Sequence, residues 1–340
     1  MATEISDWND LDAARTDLAG DYALTADLDS GTAGYADHAS ETANGGEGWQ
    51  PIGDSTTPFT GAFDGDDHSI ADLHSNLGRV MSGIFGVAEN AHIHDLSILG
   101  ADIYDEHDAS GVLAGMLTGA TEVWNCHTSG SVSGPEYNNG GFVGSVGDTA
   151  HVHDCSSDAT VIGVGQGTLR SRRGGFTGFI GGDPLIERCT VSGSVESDGD
   201  ECGGFVGRFR GTATIRDCYT AASVVEGIGE VGGFAGRIRD AGPTIERCYS
   251  RVGTINGSSN VGGFAGTEED GATVDDSFWD QELSGETSSA AATGKSTAEM
   301  EDIETYTNVA ETVGLDTAWD MVTLQNFTGA ETWVIGQGAG

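Results

Sequence analysis

Between residues 80 and 280 the apolar side chains come in short clusters, divided by Gly and Asp, and no stretch keeps a 3.6-residue helical period. A Gly-Gly-Phe-x-Gly segment recurs, ending at Gly144, Gly178, Gly207, Gly236 and Gly266, with weaker copies ending at Gly86 and Gly115. The spacings are 29, 29, 34, 29, 29 and 30 residues, the long one absorbing an insertion around Gln166 to Arg173. Aligned on these glycines, the repeats bring three apolar columns into line. One is Ile84, Leu113, Phe142, Phe176, Phe205, Phe234 and Phe264; a second runs from Ile93 and Val123 to Ile245 and Val274. The third holds Ile103, Val132, Val161, Val195, Val224 and Ile255. Three short apolar segments per repeat predict an all-β protein: a parallel three-faced β-helix, or solenoid, of about seven 29-residue coils stacked about 4.8 Å apart.

Three residues beyond the second column lie Leu96, Cys126, Cys155, Cys189, Cys218, Cys248 and Ser277. Cysteines at one fixed solenoid position read as small buried hydrophobes rather than disulfides or zinc ligands. On the outside, Asp154, Arg188, Asp217, Arg247 and Asp276 alternate in sign from coil to coil, as do Glu187, Arg216 and Glu246. Such a ladder keys the register, because a slip would set like charges together. At the ends, residues 6 to 17 read as a capping helix with Ser6 or Asp7 as N-cap, followed by a strand from Gly20 to Leu28. The expected divisions are an N-terminal cap with irregular coils (1–80), the repeats (81–280), and a Ser/Ala/Gly-rich linker with a small C-terminal cap (281–340). Within that cap, Thr297 to about Tyr306 reads as a helix, and Trp319-Asp320 and Trp333 to Ile335 as closing strands.

The succession Gly-Gly-Phe-Val-Gly, Ile-Arg-Asp-Cys-Tyr and a small-residue-Val strand resembles the GLUG-motif family of bacterial and archaeal surface proteins. The C-terminal Phe278-Trp-Asp280, Thr293-Gly-Lys-Ser-Thr-Ala-Glu-Met300 and Trp319-Asp320 are similar to that family's ending. The resemblance covers nearly the whole chain. It implies an adhesin-like or peptidase-associated setting in which the repeat is a scaffold or binding module, and it implies no catalytic residues.

Charge changes the picture. There are 54 Asp and Glu against 14 Lys and Arg, a net charge of −40 over 340 residues, and Lys295 is the only lysine. Repulsion of that size is tolerable where dense salt screens it, so the composition points to an extreme halophile. The same charge excludes a nucleic-acid footprint, and no apolar run approaches the ~18 residues of a membrane span. The acid excess is uneven. Residues 170 to 251 hold 11 basic and 11 acidic residues, so that stretch is neutral. Arg208 and Arg237 align as one like-signed column and Arg210 and Arg239 as another, with Arg170, Arg172 and Arg173 on or beside the insertion. Ladder pairing does not explain these, and we expect this Arg-bearing face to dock a partner.

Candidate chemistry is sparse. His92, Glu122 and His151 form one outward column, but coils two apart set the histidine Cα atoms about 9.6 Å apart. They read as polar residues flanking a core Ile or Val, with a metal site as the alternative. Asp64-Gly-Asp-Asp67 lacks the alternating spacing of a calcium loop. His-Glu-x-x-His is absent, as are Asn-Thr-Asp, Gly-His-Gly and Arg-Ile-Lys, and Ser289 stands where a phosphate loop would need its first glycine. We therefore expect no enzyme and no cofactor. The opening residues show no charged-then-apolar export segment. The expectation that follows is a virion surface protein (spike, turret or tail fibre) of a haloarchaeal virus that attaches to a host cell-surface glycan or glycoprotein. It would contact other virion proteins and sister copies of itself. The alternatives are a haloarchaeal cell-surface adhesin and a polysaccharide-active β-helix enzyme.

Overall fold

The computed structural model describes residues 1–78, 81–106, 109–135, 137–163, 171–323 and 333–335. It is a right-through stack of parallel strands, an all-β solenoid of about seven regular turns with a few short helices. A ten-stranded sheet runs from Thr3–Ile5 through Glu122–Trp124 to Thr273–Asp275. A seven-stranded sheet runs from Phe85–Glu89 to Ala265–Glu268, and a six-stranded one from Ala109–Ser110 to Val261–Gly262. A fourteen-stranded sheet closes the remaining side. The three apolar columns are present, and the glycine-rich face is itself divided in two at the Gly-Gly-Phe segment. The division is steric: a Cβ on Gly203 would collide with the carbonyl oxygen of Val206, so only glycine lets the chain turn so tightly between Glu201–Gly203 and Val206–Phe209.

The phenylalanines stack face to face along the axis. Ring centroids of Phe142, Phe176, Phe205, Phe234 and Phe264 follow one another at 4.6, 4.9, 4.8 and 4.8 Å, with planes within 8° of parallel. That is the spacing of hydrogen-bonded strands, so backbone pairing sets the ring contact. All five are fully buried. In the third column Val225, not Val224, fills the place between Val195 and Ile255. The corner after Cys218 is one residue longer than the one after Cys189, and a Val-Val pair hides that shift.

The five column cysteines are free and buried, as expected. Each thiol also donates to the carbonyl two residues before it, for example Cys155 Sγ to His153 O at 3.1 Å and Cys218 Sγ to Arg216 O at 3.1 Å. Ser277 Oγ makes the same bond to Asp275 O at 2.8 Å. The column therefore satisfies a corner carbonyl as well as filling space. Burial pushes the Cys155 and Cys218 thiols up, away from the reactive thiolate.

Hydrogen bonding is continuous across the boundary expected near residue 80, since Ala62–Asp64 pairs directly with His92–His94. The N-terminal helix spans Trp8–Ala13 with a 3-10 extension, and Asp7 caps it by accepting from the amides of Asn9 and Asp10. The strand after it is Asp21–Leu24, and Trp8, Leu11 and Leu24 are buried. The Ser/Ala/Gly stretch is not a linker. Gly263 N donates to Ser288 O, Ala290 N to Ala265 O, and Thr293–Lys295 pairs with Phe278–Asp280. Those residues lay a last partial coil over the open end of the stack, which protects its edge. Beyond it the expected helix is two short ones, Thr297–Met300 and Glu304–Thr307. Tyr306, Leu315 and Trp319 close a separate small core around Phe278, and Met321–Thr323 pairs with Trp333–Ile335.

Phe205→Ala should cost about 3–5 kcal/mol of unfolding free energy, because the rings above and below hold the cavity open. Denaturant unfolding in molar salt measures this; a loss no larger than that of a surface substitution would refute the stacked core.

Candidate functional site: an arginine-bearing face and a histidine cluster

The alternating ladder lies at a corner where the chain turns through the left-handed region. Asp154, Arg188, Asp217, Arg247 and Asp276 all have φ near +50°, as do Asp95 and Asn125 in the earlier coils. Asp and Asn tolerate that conformation and Arg does so less readily. The two arginines are compensated by ion pairs to the coil before. Arg188 Nε reaches Asp154 at 2.8 Å and Arg247 Nε reaches Asp217 at 2.6 Å, each with a second bond to the other oxygen. In the neighbouring column Arg216 binds Glu187 at 2.6 Å, and Arg188 binds it also, at 2.8 Å. The hydrogen bond from Arg188 holds the Asp154 carboxyl below the usual range. Burial works to raise Glu187, but the bonds from Arg188 and Arg216 outweigh it and leave it lowered.

The like-signed arginines sit on the seven-stranded sheet. Arg208 and Arg237 are direct register partners, as expected. They are not without counter-charges. Glu201, 2% exposed, pairs with Arg208, lies 3.5 Å from Arg237 Nη1 and 3.4 Å from Arg172 Nε. Arg237 also binds Glu230 at 3.3 Å and Glu269 at 2.7 Å. Glu201 opens a strand of the adjacent six-stranded sheet, Glu230 sits at the turn before the next strand of that sheet, and Glu269 comes from the next coil. Burial, reinforced by the neighbouring Arg172 and Arg237, pushes the Arg208 guanidinium down to about 10. The signal that reveals the arrangement is a glutamate seven residues before each arginine, Glu201 before Arg208 and Glu230 before Arg237, brought alongside by the Gly-Gly-Phe bend.

Arg173 is not on the surface. It is fully buried, register partner of Asn139 and Cys202, and its guanidinium donates to Ser197 Oγ at 2.8 Å and Gly134 O at 2.9 Å. Its place just before Gly-Gly, shared with Cys202 and Val231, marks that column as inward-facing. Arg170 lies outside the described residues. Arg210 and Arg239 remain the outward pair, each about half exposed and close to Asp240 at 3.3 and 3.9 Å. Arg172 rides over the Phe179 ring at 4.8 Å. Beside Arg210 and Phe179 runs a shallow groove of about 410 Å³, walled by Met81 and Met116 and carrying the polar groups of Asn138 and Ser145.

The histidines gather on the ten-stranded sheet. His92, Glu122 and His151 share the expected outward register. Glu122 Oε2 is 3.5 Å from His92 Nδ1, while its other oxygen faces His151 Nδ1 at 4.0 Å and His153 Nε2 at 3.8 Å. The compact trio is therefore Glu122, His151 and His153, with His92 on its flank. Trp124 is stacked between His94, at 4.2 Å, and His153, at 6.1 Å.

These features belong to a parallel β-solenoid with an acidic exterior, and comparison with known proteins fits that class. No protein-family description matches the chain. Over 180 residues it is 30% identical to Halomucin of the haloarchaeon Haloquadratum walsbyi, a match covering 52% of this chain and 2% of that protein. A solved protein from Bacteroides ovatus, described as a proposed immunoglobulin A1 protease, superposes with a TM-score of 0.63 over 88% of this chain and 86% of its own, at 19% identity. A second structure, described as IgA1 protease, gives 0.54 over 82% of this chain and 21% of its own, also at 19% identity. Identity that low shows the fold alone. The expectation that the chain is not an enzyme is corrected to this extent: it rested on missing motifs, and solved chains of this fold carry protease names, so the fold does not exclude activity. No helix among the described residues is long and apolar enough to cross a membrane.

The corner ladder makes an acid prediction. Asp154 and Glu187 are held below their usual range, so they stabilise the fold above that range, and the contribution is lost as pH falls through it. In molar salt, where relief of acid–acid repulsion is muted, unfolding midpoints should fall from about pH 5 downward. Asp154→Asn should flatten that fall; an unchanged acid limb in the variant would show that the ladder carries no weight.

Proposed function

We propose that this chain is a haloarchaeal cell-surface module whose seven-stranded face binds an anionic glycan of the envelope. The observation that carries the setting is the 180-residue likeness to Halomucin, joined to a net charge of −40. The resemblance of the repeat to GLUG-motif surface proteins points the same way. Neither Halomucin nor the two solved structures named above bears on a virion setting, and the surface-protein alternative is the one we take forward.

For binding, the groove beside Arg210 supplies what an anionic sugar needs. Phe179, Met81 and Met116 offer apolar surface to a sugar ring's C–H face, and Asn138, which donates to Ser145 and accepts from Arg172, keeps a second amide hydrogen for the ligand. Arg210 offers a fork of donors to a carboxylate or sulfate. Arg208 and Arg237, already committed to Glu201, Glu230 and Glu269, serve the scaffold beneath. The groove lining carries one acid, Asp148, and one base, Arg210, so an anion meets less repulsion there than over the acid-rich surface.

Two measurements test the reading together. Antibody labelling of intact cells of the encoding organism should find the protein outside; confinement to the cytosol or to virus particles would overturn the setting. In molar salt, retention on immobilised polygalacturonate should drop at least tenfold for Phe179→Ala and for Arg210→Glu. Equal retention of both variants and the unmodified chain would overturn the groove as the binding site.

A further inference from the structure

We propose that Glu122, His151 and His153 form a site for one divalent transition-metal ion, with zinc as the natural occupant of such donors. The ligand atoms of the three residues lie within 4.8 Å of one another. Ligands bonded to tetrahedral zinc at about 2.0–2.2 Å sit about 3.4 Å apart. The observed separations from Glu122 Oε1, 4.0 Å to His151 Nδ1 and 3.8 Å to His153 Nε2, need to close by about half an ångström, and the separation between the two imidazoles, within 4.8 Å, by at most about 1.4 Å. These half-buried side chains keep enough solvent-side freedom to make that adjustment by small rotations.

The groups behind the two imidazoles make this more than a chance meeting. Metal-binding histidines characteristically donate their other ring N–H to a carboxylate, which fixes the tautomer and aims the free lone pair. His153 Nδ1 lies 2.7 Å from Asp154, which leaves Nε2 as the acceptor facing Glu122. His151 Nε2 lies 3.2 Å from Glu187, which leaves Nδ1 as the acceptor facing the same oxygen. Both supporting carboxylates are held in turn by Arg188, and Glu187 by Arg216 as well. Trp124 stacks on the His153 ring with planes 6° apart and restrains its tilt. Two imidazoles therefore present lone pairs to one carboxylate oxygen, each locked from behind.

The second acidic and histidine group nearby lacks this feature. In Asp64, His94 and Asp95, both carboxylates approach the same nitrogen, His94 Nδ1, at 3.5 and 2.8 Å. That nitrogen is spent as a donor between them, so the trio is a hydrogen-bonded cluster. His92 stands against the other oxygen of Glu122 and steadies it from outside. Three protein ligands leave a coordination position open toward solvent, where a partner's imidazole or carboxylate could complete the sphere.

The test is titration of Zn²⁺ alone into the chelator-treated full chain in molar KCl near neutral pH, followed by calorimetry. One saturable equivalent is expected, together with a rise in melting temperature. Glu122→Gln and His153→Gln should each weaken binding by about a hundredfold or more, and Asp154→Asn by about 10–100-fold. Asp64→Asn should leave it unchanged. Co²⁺ in place of Zn²⁺ should give the visible absorption of a low-coordinate nitrogen–oxygen site, lost in Glu122→Gln, and circular dichroism confirms that the variants fold. The proposal falls if no saturable binding is seen, or if the ion binds equally to a Glu122→Gln/His153→Gln double variant. It falls equally if Asp64→Asn is the change that abolishes binding.

Discussion

In the paired strands of the stack each residue's nearest neighbour along the axis is its own counterpart one coil away, about 4.8 Å distant. In-register parallel pairing imposes that constraint, and the rest of the structure consists of answers to it. For apolar side chains the answer is simple repetition. Flat phenylalanine rings placed at strand spacing are already at stacking distance, so five of them pack without adjustment. Cysteine repeats as well, since it is small enough to stack and its thiol can serve the corner carbonyl of its own coil.

For charged residues repetition is a penalty, and the chain shows three ways around it. At the left-handed corner, signs alternate, and Arg188 and Arg247 each bind the aspartate of the preceding coil. On the seven-stranded sheet the arginines do repeat, but buried Glu201 and the more accessible Glu230 and Glu269 are inserted between them from beside. On the ten-stranded sheet Glu122 separates His92 from His151. The corner and histidine solutions meet at Arg188, which keys the register through Asp154 and orients both imidazoles through Asp154 and Glu187. The residue that fixes how the coils stack thus also fixes the geometry of the candidate metal site.

What the amino-acid sequence made legible follows from the same constraint. Columns that answer by repetition can be read by aligning glycines, and the Phe, Ile and Cys columns were all readable that way. Alternating sign was also readable, because the partner occupies the equivalent place in the next repeat. Column alignment does not pair Glu201 with Arg208, because the two meet across a bend inside one coil, at different repeat positions; only the seven-residue spacing within a repeat carries that signal. Alignment places Val224 where Val225 belongs, because a one-residue lengthening of the corner leaves a Val at either place. Arg173 looked like surface because arginine usually is, although its position before Gly-Gly is shared with buried Cys202. Column alignment selects His92 rather than His153 because it sees only direct register neighbours, whereas side chains also reach diagonally to the next same-face position across the strand pair.

Dense salt decides which of these charge contacts matter. At molar ionic strength the screening length is about 3 Å. The mutual repulsion of scattered surface carboxylates then largely vanishes, as does any long-range attraction between this surface and a partner. Contacts at bonding distance keep much of their strength, and buried ones keep more, since ions cannot intervene. In such salt a solenoid can carry a large acid excess outside while its register, its arginine face and its histidine cluster depend on short, directional pairs. By the same reasoning a partner must be recognised at contact, through forked or coordinating groups fixed in place beforehand. Arg210 beside the groove, and the two imidazoles locked by Asp154 and Glu187, are groups of that kind.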